Sequence, residues 1–307
     1  MAARATPTLR SQSRPASSTR PPERRSLRAF VSSTEPSSRW SKQRLLIVAT
    51  AVVVAAVVTI AALLVATLNT AQRGTTPLPA TSMATALTVN GQAVPLRELM
   101  LQVEADRAAT FAYFQQNFHA GDKAGFWHTR FGTTTPAGYL TEHAVADTVS
   151  IAVERQLAQQ RGLLADPSYP AFLQSWTAEN ARRATALANH EVIYGPTQYS
   201  ESGYFTYLMG NVVPQLEQAL AKDGTIRVTD AEVQTYYAAH PEKFPSATAQ
   251  GSKPLQAGPR TTAPFQTVEA QARQLYLDDA FHAYLASAVA RAKVVTANDT
   301  LSRIPLG

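Results

Sequence analysis

Side chains able to carry out acid–base or metal chemistry are sparse in this sequence of 307 residues. The six histidines are scattered, and His143 and Asp147 lie four residues apart, the spacing that places two side chains on one helix face. Such a pair could supply two ligands to a metal ion. No third ligand stands near it, so we interpret the pair as a hydrogen-bonded surface pair and predict no metal site.

Catalytic motifs are equally scarce. Glu142 and Glu154 fall on the same predicted helix, but nothing in the sequence would move either pKa, so both are predicted to be ordinary surface carboxylates. No Gly-rich phosphate loop, Gly-x-Ser-x-Gly elbow or His-Glu-x-x-His motif is present. The chain has no cysteine, which excludes disulfides and thiol nucleophiles. The sequence predicts no catalytic residue and no cofactor.

Aromatic side chains are the more informative class. The stretch "FAYFQQNFHAGDKAGFWHTRF", residues 111–131, holds seven Phe, Tyr or Trp residues. Exposed apolar surface rimmed by polar groups is typical of proteins that hold other polypeptide chains. Packing in the core is the competing interpretation and is favoured for most of these rings. The candidate residues for contact with a polypeptide client are Phe126, Trp127, Phe131, Tyr204 and Tyr207.

Strand patterns occur only at the two ends of the segment that would position these rings. Leu87 and Val89 alternate with polar residues, and the dipeptide Asn90-Gly91 tolerates the positive φ angles of a two-residue hairpin turn. The stretch "KVVT" at 293–296 predicts a closing strand that pairs with the first one. The two ends of the segment are therefore predicted to meet in one small β element.

Helical periodicity fills the region between these strands. A capping box at Thr229 and Glu232 opens a short helix that stops before Pro241. The last long helix covers about 265–292, and its Phe281 and Leu285 are predicted to be buried against the earlier helices. Other helices are predicted to begin near Pro95, Thr135, Ser168 and Ser200. The predicted fold class is mainly α.

The N-terminal region has a different composition. Residues 1–44 carry ten Lys or Arg against two acidic residues, a net charge of +8, whereas the whole chain has +6. This serine- and proline-rich segment has too little apolar surface to fold, so it is predicted to be a disordered basic tail. The high pI therefore describes the tail, and no nucleic-acid partner is expected.

Residues 45–68 form a stretch of 24 residues without a charge. As a helix rising about 1.5 Å per residue it would span roughly 36 Å, enough for a hydrocarbon core of about 30 Å. It is longer than the apolar region of a cleaved signal peptide, and a buried core helix is the other alternative. Basic residues precede the span, so the positive-inside rule puts the N-terminus in the cytoplasm. We predict a single-pass membrane protein that contacts lipid through residues 45–68 and has an extracytoplasmic C-terminal domain.

Three stretches occur in an order that is similar to one known family. "VNGQAVPLRELMLQVEADRA" resembles the start of the SurA/PrsA-like extracytoplasmic chaperone-foldases. "VTDAEVQTYYAAHPEKF" resembles the segment that leads into their parvulin peptidyl-prolyl isomerase domain. "APFQTVEAQARQLYLDDAFHAYLASAVARAKVVT" resembles their closing helix and strand. The resemblance covers residues 86–244 and 264–297 and implies a SurA N-terminal-like helical module that binds unfolded polypeptides.

The place of the isomerase domain is nearly empty. Only 19 residues, 245–263, stand where a parvulin domain would need on the order of a hundred. No catalytic residue of the family can therefore be assigned. The predicted organisation is a basic tail (1–44), a transmembrane helix (45–68), a stalk (69–85), a helical chaperone module (86–297) with a flexible linker (245–263), and a C-terminal tail (298–307).

These observations lead to one principal hypothesis and two alternatives. The first is a membrane-anchored, extracytoplasmic chaperone-like protein that binds unfolded secreted or envelope polypeptides without isomerase activity. The second is a scaffold or binding subunit that recruits one folded partner in a cell-envelope complex. The third, a peptidyl-prolyl isomerase, rests on the family resemblance only.

Overall fold

The computed structural model describes residues 76–121, 123–246 and 261–306. Over these ranges the protein is mainly helical, as the sequence predicts, with one three-stranded sheet. Two 3₁₀ turns cover Phe126–His128 and Pro241–Lys243. The strands are β1 (Thr85–Val89), β2 (Gln92–Pro95) and β3 (Val294–Thr296). The helices are α1 (Leu96–Phe118), α2 (Pro136–Gln160), α3 (Tyr169–Ala188), α4 (Glu201–Lys222), α5 (Asp230–Ala239), α6 (Phe265–Arg291) and α7 (Asn298–Leu301).

The N-terminal predictions lie outside these ranges. The basic tail 1–44 and the transmembrane helix predicted over 45–68 both precede the first described residue. Within the described ranges, no helix combines the length and the apolar character needed to cross a membrane.

The sheet joins the two ends of the described chain. Asn90 and Gly91 have φ angles of 52° and 85°, as the predicted two-residue turn requires, and they connect β1 to β2. Strand β3 pairs with the other edge of β1 in antiparallel register, with Val294 opposite Val89 and Val295 opposite Thr88. The predicted closure of the module by its last strand is confirmed.

Helix α2 lies at the centre of the main core. It contacts α1, α4, α6 and β1, which agrees with its apolar residues covering more than one face. The C-terminal half of α6 packs into the same core, where Phe281 and Leu285 are buried as predicted. This helix has 27 residues, and the apolar surface that it can pack against lies far away in the sequence. It must bury its row of apolar side chains against that surface to be stable.

The N-terminal half of α6 packs against α5 in a separate cluster. Its buried residues are Val233, Tyr236, Phe244 and Ala272. The capping box predicted at the start of α5 is present: Thr229 accepts a hydrogen bond from the Glu232 backbone, and the Glu232 carboxylate accepts one from the Thr229 backbone. Helix α6 therefore packs its C-terminal half into the main core and its N-terminal half against α5.

The two ends of the predicted linker 245–263 lie side by side. The backbone N–H of Ser246 donates to the Thr261 carbonyl at 2.8 Å, and that of Ala263 donates to the Phe244 carbonyl at 2.9 Å. The chain thus leaves and re-enters the described structure at adjacent positions. Residues 247–260 lie outside the described ranges.

Packing extends beyond the predicted module 86–297 at both ends. Leu301, Ile304 and Leu306, which fall in the predicted C-terminal tail, are buried in the main core. Leu78, in the predicted stalk 69–85, packs against that core and donates its backbone N–H to the Arg303 carbonyl at 2.9 Å. The apolar residues at these positions are too few to form a pattern in sequence, but the folded core leaves room for them.

A buried ion pair ties α1 to α2. Glu98 and Arg155 each have 3% of their side chain exposed and form a hydrogen-bonded salt bridge. Burial raises the pKa of Glu98 to about 7, although the neighbouring Arg155 lowers it. Glu98 Oε2 and two nitrogens of Arg155 have no hydrogen-bond partner among the described residues. The pair fixes how the two helices face each other.

Candidate functional site

The predicted client-binding residues fall into two separate aromatic clusters. Phe126, Trp127 and Phe131 belong to the cluster around the end of α1, where Phe126 is buried and the other two are half-buried. The guanidinium of Arg107 lies 4.6 Å from the centroid of the Trp127 ring. This contact shields one face of the indole from solvent, so packing accounts for most of this cluster.

Tyr204 and Tyr207 lie in the other cluster, between α3 and α4. Tyr204 is buried beside Tyr169 and Phe172, whereas Tyr207 has 47% of its surface exposed. The Tyr207 ring stacks on Tyr199 at a centroid distance of 5.2 Å. Among the described residues, no ring contact joins this cluster to the one around Phe126, so the structure does not bring the five candidate residues together.

The loop between α3 and α4 presents two apolar side chains to solvent. Val192 and Tyr194 are 82% and 87% exposed. The buried guanidinium of Arg183 donates to the carbonyls of Tyr194 at 3.0 Å and Pro196 at 2.6 Å. These bonds hold the loop backbone at Tyr194 and Pro196. The sequence indicated only a connection here.

A groove of about 530 Å³ lies between α1, α2 and α4. Its apolar walls come from all three helices, and the small residues Ala105 and Gly210 leave space within the lining. Sequence analysis did not predict this groove, because it depends on how three helices distant in sequence are placed. The apolar lining comprises Leu101, Ala105, Ile151, Phe205, Met209, Gly210, Val213 and Pro214.

Glu154 supplies the charged group of the groove. It is partly buried, and this burial raises its pKa to about 7. The negative charge of Glu217 acts in the same direction, and His282 opposes it. Glu154 makes no hydrogen bond or ion pair with another described residue. The expectation of an ordinary surface carboxylate at Glu154 was therefore wrong, because sequence does not reveal which face of α2 becomes the groove floor.

Pro214 adds a backbone feature to the same groove. It lies inside α4, which continues from Glu201 to Lys222. Proline has no N–H, so the carbonyl four residues earlier, that of Gly210, lacks its regular helical donor. Both residues line the groove. The groove thus contains hydrogen-bond acceptors on two of its walls.

The structure does not join the pair singled out in sequence. His143 and Asp147 are both exposed on α2, and no hydrogen bond or ion pair connects them. The His143 ring instead lies 4.1 Å from that of Tyr139. Within the described ranges, no group of three or more His, Asp or Glu side chains could hold a metal ion.

Comparisons with known proteins add one similarity. The chain is 22% identical over 147 residues to a protein named "Chaperone for lacto-N-biosidase" from Bifidobacterium longum subsp. longum. The aligned part is 47% of this chain and 51% of that protein, so the chain spans about half the length of this curated relative. No protein-family model matches the chain, and no solved structure matches it significantly.

Proposed function

We propose that this chain is a membrane-anchored, extracytoplasmic chaperone-like protein that binds unfolded secreted or envelope polypeptides, without a cofactor and without isomerase activity. The observation that carries the proposal is the groove between α1, α2 and α4, an apolar surface that the chain's own core leaves uncovered. Open grooves of this kind are the usual places where proteins accommodate apolar ligands. The similarity to a protein named as a chaperone supports the same function.

The groove is continuous with a larger apolar region. Leu101, Ile151 and Met209 line the groove and also pack against the cluster between α3 and α4. Tyr207 is exposed on the same helix, but it lies two residues from Met209 and so faces away from the groove. A client segment lying in the groove can therefore extend its contacts onto the cluster between α3 and α4 through the side chains that the two regions share. Membrane anchoring through residues 45–68 would hold this surface near emerging polypeptides.

A matched pair of charged substitutions tests the proposal. Met209→Glu places a charge in the groove. Met83→Glu places the same charge at an exposed methionine that does not line the groove. We expect the wild-type protein, in lipid nanodiscs, to delay the light-scattering aggregation of several unrelated unfolded clients. Met209→Glu should lose most of this effect and Met83→Glu should keep it. Equal protection by both variants would contradict a role for the groove.

A dedicated binding subunit is the second candidate, and a separate observation favours it. The loop, whose backbone Arg183 holds at Tyr194, exposes the apolar side chains of Val192 and Tyr194, which suits recognition of one folded partner. The relative is also named for a single enzyme. In a pull-down from envelope extracts, capture of one stoichiometric partner that the double substitution Val192→Ser/Tyr194→Ser abolishes would favour this function over general chaperoning.

The absence of isomerase activity has its own test. Residues 245–263, where the family resemblance would place a parvulin domain, are 19 in number, and the described residues at their two ends pair with each other. We expect the purified protein to leave the rate of prolyl cis–trans isomerisation in a test peptide at its spontaneous value. A rate that increases with protein concentration would contradict the proposal.

A further inference from the structure

Taking the proposed function as its basis, we propose that the groove selects polypeptide segments in which apolar side chains flank one lysine or arginine, and that the Glu154 carboxylate receives this cation. The ligand class is thus an extended, apolar segment with a single positive charge. The inference specifies which clients the groove holds, and it depends on the placement of Glu154 among apolar walls.

Glu154 differs from two buried or partly buried carboxylates that connect helices in this molecule, Glu98 and Glu201. Glu98 is paired with Arg155, and Glu201 accepts from both Arg97 and Tyr169. Glu154 has no such partner within the described ranges, and burial disfavours its charged form. A buried carboxylate without a cation is costly to keep ionised, so a cation delivered by a ligand would be stabilised there.

The carboxylate of Glu154 favours a cationic ligand group, and a second carboxylate lies near it. Glu217, on α4, adds negative charge beside it, and Asp278, on α6, adds further negative charge beside Glu217. His282, on α6, is the group that opposes them, and it is exposed. No charged group on α1 shifts the pKa of Glu154. Glu154 and Glu217 thus place two carboxylates near this end of the groove, with His282 as the opposing group.

The remaining groove groups fit a side chain that only donates hydrogen bonds. An ammonium or guanidinium group has donors and no acceptor. Besides Glu154, the groove offers the carbonyl of Gly210, which Pro214 leaves without its helical donor, and the side-chain oxygens of Gln102 and Thr206. Neither of those two side chains makes a hydrogen bond within the described residues.

The apolar walls suit the stem of the same side chain. Lysine and arginine bury their aliphatic stems against apolar surface while the charged end reaches a polar partner. Leu101, Ile151 and Val213 line the groove together with Glu154. One side chain can therefore satisfy both parts of the groove, and its apolar neighbours in the client can occupy the rest.

The experiment compares two fluorescent peptides that differ at one position. Both carry apolar residues around a central lysine or around norleucine, which has a similar stem and no charge. Binding is measured by fluorescence anisotropy to the full-length protein in lipid nanodiscs. We expect the wild-type protein to bind the lysine peptide about 5- to 10-fold more tightly, the range of a partly desolvated ion pair. Glu154→Gln should bind both peptides with the affinity that the wild type has for norleucine.

Three controls test the interpretation. Glu142→Gln, on the same helix but outside the groove lining, should keep the preference for lysine. Acetylating the peptide lysine should abolish the preference in the wild-type protein, which tests the charge without any variant. Glu154→Asp, which restores a carboxylate, should recover part of the preference that Glu154→Gln loses.

Three outcomes would overturn the inference, and they are distinguishable. Equal binding of both peptides by the wild type would contradict selection of a cation while leaving the proposed function intact. Binding of neither peptide would contradict both the selection and the proposed function. The third outcome is dimerisation: the molar mass of the wild-type protein doubles as its concentration is raised, whereas Met209→Glu stays at the monomer value. This result would indicate that a second copy of the chain fills the groove.

Discussion

The C-terminal half of α6 and the walls of the groove are built from the same apolar residue types, yet they end in opposite environments. Phe281 and Leu285 are buried because α6 returns onto α2 and α4. Leu101, Ile151 and Met209 remain partly exposed because no described element closes over them. Apolar periodicity alone therefore does not separate residues that stabilise the fold from residues available for a ligand.

The two regions also differ in how they treat a buried carboxylate. In the core, Glu98 is held by Arg155, and both side chains belong to this chain. In the groove, Glu154 has no such partner within the described ranges. The core therefore satisfies most of its charge internally, whereas the groove leaves a charge for something else to satisfy.

The largest expected effect comes from emptying the closing core. Phe281→Ala should lower the free energy of unfolding by about 3–5 kcal/mol, because it removes a buried ring and leaves a cavity. Urea denaturation of the full-length protein, followed by circular dichroism, measures this change, with the exposed Met83→Ala as the control. A loss as small as that of the control would mean that α6 is not part of the stabilising core.

Breaking the buried ion pair should have the next largest effect. Arg155→Met leaves Glu98 buried without its cation and should lower the free energy of unfolding by about 3 kcal/mol. The double variant Glu98→Leu/Arg155→Met removes both charges and should recover most of this loss. If the double variant is as unstable as the single one, packing of the arginine stem, and not charge, determines the cost.

A change of pH separates the groove carboxylate from the core. Burial raises the pKa of Glu154 from 4.5 to about 7, so between these values the folded protein binds more protons than the unfolded chain. Stability should therefore decrease as the pH rises through this window. Glu154→Gln should make the decrease between pH 5 and pH 8 smaller, although Glu98 still contributes to it. Glu142→Gln should leave the slope as in the wild type, and an unchanged slope in Glu154→Gln would contradict the burial argument.

The exposed loop should contribute almost nothing to stability. Val192→Ser removes an apolar side chain that is 82% exposed, so the free energy of unfolding should change by no more than about 0.5 kcal/mol. The same denaturation experiment measures it. A loss above 1 kcal/mol would mean that Val192 packs in the folded protein, and the loop would then no longer qualify as a partner-binding surface.

The smallest effect is expected from the linker. Deleting several residues between 247 and 260 should change stability by a few tenths of a kcal/mol, since loop closure varies by about 0.6 kcal/mol per doubling of length. The pairing of Ser246 with Thr261 would be retained. A change of several kcal/mol in thermal or urea unfolding would mean that this segment packs against the module.

Local signals made much of the fold predictable. The Asn90-Gly91 turn, the capping box at Thr229 and the apolar stripe of α6 each depend on residues a few positions apart, and the structure contains all three. The burial of Phe281 followed from a simpler argument, because the rest of the chain offered that stripe one large apolar surface.

The candidate site was less accessible to sequence analysis. The groove depends on the spacing of α1, α2 and α4, and the pKa of Glu154 depends on the side of α2 that faces it. Arg183 gave no signal either, because its acceptors are backbone carbonyls, which every residue possesses. The five candidate aromatic residues were chosen by type, and type alone did not distinguish the buried Phe126 from the exposed Tyr207.

The pairing of β1 with β3 determines when the sheet can be completed during synthesis of this protein. Asn90 and Lys293, which are hydrogen-bonded beside the sheet, are separated by 203 positions. Contacts so remote in sequence form slowly and only after the chain that joins them exists. At a translation rate of about 5–20 residues per second, β1 waits roughly 10–40 seconds for its partner. Until residues 293–296 emerge, a growing chain of this protein therefore leaves exposed the edge of β1 that β3 later covers.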